Sequence, residues 1–393
     1  MQHRGKIILL PPNRVWRTYP GGRTLDTLAL SRIERRAGRP APADTHLAED
    51  WIASTTRAVN RGREPLAEGV SQVCVGDDPA RHDFAQLLAS DPEYFLGAAH
   101  VARHGAQPQL LVKYLDSGTR LHFQVHPTRE FARRVLGAPS GKTEAYYVLA
   151  VREPSPSAPP PSPLSAPRDS AAEVLAKAEP TGYIYVGFQR PPSPAQLRDL
   201  ILRQDVAALE ACFDRIPVRP GDTFIIPGGT PHALGAGVFM VEIQEPSDLV
   251  VRFEFERAGY VLPEAARFMG RDVDFALTLF NLAPLTSADL ASRVRCLPRR
   301  LRELGPGSHQ DELIGPAQTD CFRVIRTTLR GPVVKDENSA VIAMVTRGVV
   351  TASVGGDSHR LDTYDKFFLP ARLGPVTYTP EPEAEILECH PPV

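Results

Sequence analysis

The stretch LHFQVHPTREFARRVLGAPSGKTEAYYVL (residues 121–149) reads as a strand, a short helix, a glycine turn and a second strand. Gln124 and His126 are two apart, and in a strand residues i and i+2 share a face, so an amide and an imidazole project together. Pro127 has no N–H for a ladder and ends the strand. A helical run over 130–136 follows and stops at Gly137. After Gly141-Lys142-Thr143-Glu144 comes an apolar, aromatic strand over 145–150, with Glu144 at its start. Gln124, His126 and Glu144 are expected to meet on two adjacent strands. A fourth candidate stands downstream, in PGDTFIIPGGTPHALGAGVFMVEIQEPSDLVVRFE (residues 220–254), where His232 follows a glycine-rich turn and opens a strand. One Gln, two His and one Glu make a mixed N/O donor set. That set suits zinc, and Mn, Fe or Co nearly as well. Neither stretch holds a Cys, which argues against a closed structural thiolate site and for an open catalytic one.

Each of these residues is a weak signal singly. Together QVHP, GKTE, GDTFIIPGGTPHAL and EIQEPSDLVVR resemble, in order and rough spacing, the type I mannose-6-phosphate isomerase family, whose members have a zinc-dependent cupin fold. The resemblance runs weakly from about Trp16, strongly over 111–252 and loosely to the C-terminus. It implies that Gln124, His126, Glu144 and His232 are metal ligands for one zinc ion per chain, with other divalent first-row metals as alternatives. It implies a small sugar phosphate as substrate, with mannose 6-phosphate and fructose 6-phosphate interconverted through an enediolate. Arg252 matches the family's active-site arginine in an SD-x-x-x-R pattern, here Ser247-Asp248-Leu249-Val250-Val251-Arg252. A permanently charged guanidinium there would stabilise the enediolate oxygen. Glu242 matches a glutamate proposed for proton transfer, and a carboxylate desolvated within an apolar strand has the raised pKa that helps a base. Lys142 matches a K-x-E pattern and is assigned to substrate binding.

Other features come from the residues themselves. Lys113 lies inside the apolar strand QLLVKYL (109–115), so it either snorkels to the edge or faces a polar site; it is a candidate for lining the pocket. That strand and LHFQVHP read as a hairpin with Asp116-Ser117-Gly118 as its turn. His122 departs from the family, which has Ser there. By alternation His122 faces the same side as Gln124 and His126, where it could bind a phosphate as a cation, shuttle a proton or add a ligand. The tryptophan often found after K-x-E is replaced by Tyr146 and Tyr147. Glu49 and Trp51 fall in a family-like E-x-W-x-x-S stretch, to which no chemistry is assigned.

The 393 residues suffice for two or three compact units. Hydrophobic residues at 42% and charged residues at 23% are those of an ordinary soluble protein. The net charge of −1, without a basic block, points to neither nucleic acid nor an anionic membrane as partner. No apolar run approaches the roughly 18 residues of a spanning helix. The N-terminus lacks the features of a signal peptide, and the five Cys are scattered and odd in number, so a reduced cytoplasmic setting is expected. A monomer fits these features, and the oligomeric state stays open.

The expected fold is mainly β, with two cupin-like jelly rolls and helical insertions. The first unit, a metal-binding cupin over 1–281, carries helical segments at 76–105, 193–216 and 259–281. It also carries a Pro-rich loop insertion at 153–170, whose composition cannot build a core. A linker over 282–318 leads to a metal-free cupin-like β unit over 319–393, dense in β-branched residues with regular turns. Three rival functions remain: a same-fold isomerase for another sugar or sugar phosphate, a sugar-binding cupin without turnover, and a structural two-cupin protein.

Overall fold

The computed structural model describes residues 3–33, 42–75, 78–153 and 182–392. Seven antiparallel strands form one sheet, in the order Arg295–Cys296, Thr223–Ile226, Glu144–Val151, Val238–Gln244, Leu111–Asp116, Glu49–Ile52, Arg14–Val15. Five more form a facing sheet, in the order Ile216–Val218, Gly182–Val186, His232–Leu234, Gln124–Val125, Val251–Arg252. Strand alternation sorts their side chains. In Val238–Gln244, Val238 and Met240 point inward to a core shared with Ile184, Val186 and Leu234 of the facing sheet. Phe239, Val241 and Ile243 point outward. In Glu144–Val151, Tyr146 and Val148 are inward, Ala145 and Tyr147 outward. By the same parity Glu144 and Glu242 belong to the inner face, at the end where apolar side chains give way to polar ones.

The outer face of the five-stranded sheet is covered by short helices. Phe123, Val125 and Tyr185 pack there with Leu197 and Ile201 of Pro194–Arg203, Leu209 of Val206–Glu210 and Val273 of Val273–Leu277. Ser193 caps the first of these helices in a reciprocal capping box with Gln196, and Pro194 opens it.

The C-terminal unit is a nine-stranded antiparallel sheet. Its long strands Val341–Val354 and Val376–His390 pair with two register shifts, the bulges that let a sheet bend around its own core. That core includes Leu329, Val341, Val345, Phe367 and Ile386. The sheet's other face shares one apolar cluster with the outer face of the seven-stranded sheet: Val324, Ile342, Phe368 and Leu387 lie with Val112, Tyr114, Val241 and Ile243. The chain is thus mainly β, as expected.

Several boundaries differ from the sequence reading. Leu111–Asp116 and Gln124–Val125 are not a hairpin but lie in different sheets. Ser117 donates its N–H to the Val238 carbonyl and Gly118 donates to Pro20, so the chain crosses between sheets there. The stretch 282–318, expected as a linker, carries the strands Arg299–Gly305 and Ser308–Ile314 of the C-terminal sheet. Arg299–Gly305 is an edge strand whose charged, mostly exposed side chains block further pairing, and that composition hides a strand. The N-terminal strand Ile8–Leu9 pairs with Lys366–Leu369 and so joins the C-terminal sheet rather than the first unit. The segment read as helical over 76–105 is helical only from Phe84, after the strand pair Gln72–Val75 and Asp78–Asp83. The segment 259–281 keeps one five-residue helix beside a short strand, Tyr260–Val261, and a 3-10 turn. The Pro-rich insertion 153–170 lies, beyond Glu153, outside the described residues. No helix among the described residues is long and apolar enough to cross a membrane.

Candidate metal centre and substrate cavity

Three sequence motifs are stitched together around His126. The Lys142 N–H donates to the Pro127 carbonyl at 3.0 Å, and the Gly229 N–H donates to the His126 carbonyl at 2.7 Å. Gly141 and Gly228 let the two turns lie flat on this backbone. A Cβ on Gly141 would stand 2.4 Å from the Arg129 nitrogen, and one on Gly228 2.7 Å from the Pro127 oxygen. Gly228→Ala should lower stability by about 1–3 kcal/mol and loosen the site, which a thermal melt alongside metal analysis would read.

His126, Glu144 and His232 offer ligand atoms that all lie within 4.8 Å of one another, and all three are buried. Gln124, His126 and Glu144 do not lie on two adjacent strands as expected. Glu144 projects from the seven-stranded sheet and His232 from the five-stranded one, with His126 just beyond Gln124–Val125. Nδ1 of His126 lies 2.9 Å from the Leu249 carbonyl oxygen, and Nδ1 of His232 lies 2.8 Å from that of Thr230. Each Nδ1 therefore carries the hydrogen, and each Nε2 offers a lone pair: that of His126 is met by the Lys142 ammonium, and that of His232 has no hydrogen-bond partner. Those lone pairs face Glu144, at 3.1 Å from its Oε1 for His126 and 3.4 Å from its Oε2 for His232. Acceptors aimed at a carboxylate repel unless a positive charge joins them, and backbone-oriented imidazoles are the usual support of a metal site. The donor set fits a divalent cation. Burial and the neighbouring Lys142 push the His126 pKa down to about 3. Against the upward pull of burial, Lys142 and His126 hold Glu144 well below the usual carboxylate range.

Gln124 shares this face by register. It pairs across the ladder with His232 on one side and Arg252 on the other, and directly opposed residues share a face. Lys142 reaches the cluster with its ammonium, 2.8 Å from Oε1 of Glu144 and 3.2 Å from Nε2 of His126. The Tyr146 hydroxyl donates to Glu144 Oε2 at 2.8 Å.

Beside this cluster opens a cavity of about 350 Å³, counting its mouth. Every remaining predicted site residue lines it: Lys113, His122, Lys142, Glu242 and Arg252, with Gln124. Glu242 sits opposite Lys113 and Tyr146 in the ladder, and Lys113 Nζ lies 2.6 Å from its Oε2. Burial, and then the negative charge of Glu144, raise the Glu242 pKa to about 7. Lys113 itself is raised, its two carboxylate neighbours outweighing burial. Arg252 is buried and, among the described residues, has no ion-pair partner; burial and Arg17 pull its pKa down to about 10.

Sequence reasoning missed three lining or supporting residues, Glu49, Arg17 and Asp248. Glu49 lies 3.5 Å from Lys113 and accepts from Trp51 Nε1 at 2.7 Å and from the Tyr19 hydroxyl at 2.5 Å. Arg17 makes a two-pronged pair with Asp248 at 3.0 Å and reaches Glu49 at 3.2 Å. The interior position of Lys113 was the available signal, because a buried ammonium demands carboxylates. Burial lowers the His122 pKa to about 4, which disfavours the phosphate-binding cation among its expected roles, and the residue lies outside the His126–Glu144–His232 group. His122 is held by Glu254, whose carboxylate makes a buried two-pronged pair with Arg120 at 2.6 and 2.9 Å. Glu254→Ala strands the Arg120 charge and should cost about 3–5 kcal/mol of stability, read as a lowered denaturation midpoint.

Fold and site together define a cupin-like β protein with a buried His–Glu–His metal-type cluster beside a charged cavity. No family model matches the chain. Mannose-6-phosphate isomerase of Streptococcus mutans is 32% identical over 183 residues, which are 46% of this chain and 48% of that protein. The chain thus spans about half the length of that curated relative. Among solved structures, mannose 6-phosphate isomerase from Bacillus subtilis superposes with a TM-score of 0.67 at 20% identity, over 98% of this chain and 99% of that one. A mannose 6-phosphate isomerase bound with zinc and yttrium superposes with a TM-score of 0.63 at 15% identity, over 99% and 100% of the two chains. These structural likenesses establish the fold.

Proposed function

We propose that this chain is a metal-dependent aldose–ketose isomerase that interconverts mannose 6-phosphate and fructose 6-phosphate. The observation that carries this reading is the buried guanidinium of Arg252, without a carboxylate in ion-pair contact among the described residues, in one cavity with Glu242 and beside the metal-type cluster. A desolvated cation of this kind calls for an anion, and an enediolate oxygen is one. The similarity to proteins named mannose-6-phosphate isomerase supports the choice of sugar.

Gln124, His126, Glu144 and His232 would hold one divalent ion, zinc being favoured by the donor set and by the zinc in one structural neighbour. Bound there, the ion would supply positive charge to the C1 and C2 oxygens of the open-chain sugar. The chain's own groups move the protons. The Glu242 carboxylate takes the C2 proton of the aldose. The C2–H electrons form the C1–C2 double bond, and the carbonyl pair moves onto O1. Arg252 donates to that oxyanion. Glu242 then returns its proton to C1 while the O2–H proton passes to O1, leaving the ketose. Lys113 fixes Glu242 in orientation, and Lys142 holds a substrate oxygen.

Arg252→Ala should lower turnover about a hundred- to a thousandfold, with Arg252→Lys recovering only part, since an ammonium lacks the planar fork. A loss of only a few-fold would remove Arg252 from the mechanism. The reading as a whole is tested by a coupled isomerase assay with mannose 6-phosphate beside free mannose. Turnover of the phosphate ester is expected. Turnover of the free sugar alone would favour another substrate, and turnover of neither would favour a binding protein.

A further inference from the structure

His122 is buried, with 2% of its surface exposed, yet it lines the cavity. Its Nδ1 lies 3.1 Å from the Glu254 carbonyl oxygen, so Nδ1 bears the hydrogen. Its Nε2 is then an acceptor, and it has no hydrogen-bond partner. A buried acceptor left unmet is costly, so something in the working enzyme meets it. Nothing on the protein side can flip this arrangement cheaply, because the Arg120–Glu254 pair locks the Glu254 backbone and accepts the Phe123 N–H as well. The positive charge of Arg252 acts on the imidazole from the same cavity. The cavity is thus lined by an acceptor, Nε2 of His122, and by a donor, the Arg252 guanidinium. A hydroxyl can give its hydrogen to Nε2 and still accept from a donor such as a guanidinium. A phosphate dianion has no hydrogen to give.

We propose that His122 accepts a hydrogen bond through Nε2 from a hydroxyl of the sugar, and so selects the polyol part of the substrate rather than its phosphate. The inference rests on the isomerase reading and deepens it. It makes His122 a specificity-determining residue that touches substrate.

The test compares the unaltered protein with His122→Leu, which fills the space with nothing to accept, and His122→Gln, whose amide oxygen reaches the Nε2 position. The substrates are mannose 6-phosphate and its 3-deoxy and 4-deoxy analogues, and methyl phosphate, whose dianion has no hydrogen to give, serves as the competitive phosphate inhibitor. His122→Leu should lower kcat/KM for mannose 6-phosphate about ten- to a hundredfold, and His122→Gln should recover most of it. One deoxy analogue should lose a similar factor with the unaltered protein and nothing further with His122→Leu. The inhibition constant of methyl phosphate should stay unchanged. Unchanged kinetics in His122→Leu, or a methyl phosphate inhibition constant raised about tenfold, overturns the proposal. If His122→Leu does not fold, equal penalties for the deoxy analogues in the unaltered protein and His122→Gln support it, and no penalty in the unaltered protein overturns it. Absence of turnover by the unaltered protein instead sinks the isomerase reading, and this inference with it.

Discussion

Replacing His126 by Ala should abolish stoichiometric metal binding and lower turnover about a thousandfold or more. Its Nε2 and that of His232 are the two imidazole lone pairs aimed at Glu144, each fixed by an Nδ1 contact to a backbone carbonyl. With one imidazole gone, the remaining set of one His, one carboxylate and one amide is too weak to hold the ion. The several kcal/mol of charge stabilisation that a metal supplies then go with it, at a factor of ten per roughly 1.4 kcal/mol. The fold should survive, because His126 sits at the end of a two-residue strand and outside the apolar cores. Metal analysis and a thermal melt on the same sample check both halves. A variant that keeps one ion per chain would show that the ligands lie elsewhere.

Glu242→Gln is the second large effect, a loss of about two to four orders of magnitude in turnover. The amide keeps the shape and a contact to Lys113 but can take no proton. Burial and the charge of Glu144 raise the Glu242 pKa, to about 7 without a metal ion, so the unaltered enzyme should lose kcat/KM as pH falls and the carboxyl protonates. A cation on Glu144 offsets the second cause, so the limb in the metal-loaded enzyme should lie below that value. Glu242→Gln should remove the limb altogether. A variant that keeps it, or that loses only a few-fold, rules out Glu242 as the base.

What could be read from the sequence was what depends on neighbours along the chain. The i, i+2 spacing of Lys142 and Glu144 put the ammonium and carboxylate on one face, and they lie 2.8 Å apart. The stop at Gly137, which takes a left-handed conformation, was equally local. Parity within a strand does not say which sheet the strand joins, so Glu144 was placed beside Gln124 rather than across the sandwich from it. Glu49, Arg17 and Asp248 were missed for a related reason. They come together from segments far apart in sequence: Glu49 through the pairing that sets Trp51 opposite Lys113, and Arg17 and Asp248 through a side-chain ion pair. The edge strand Arg299–Gly305 was hidden by charges that serve its edge position.

The central claim, that the buried His–Glu–His cluster with Gln124 holds a metal on which turnover depends, is tested most directly on one purified sample. Its metal content and its turnover of mannose 6-phosphate are measured before EDTA, after EDTA, and after zinc is restored. About one ion per chain, loss of both ion and turnover with chelator, and return of both with zinc are expected. Full turnover from protein stripped of metal would contradict it.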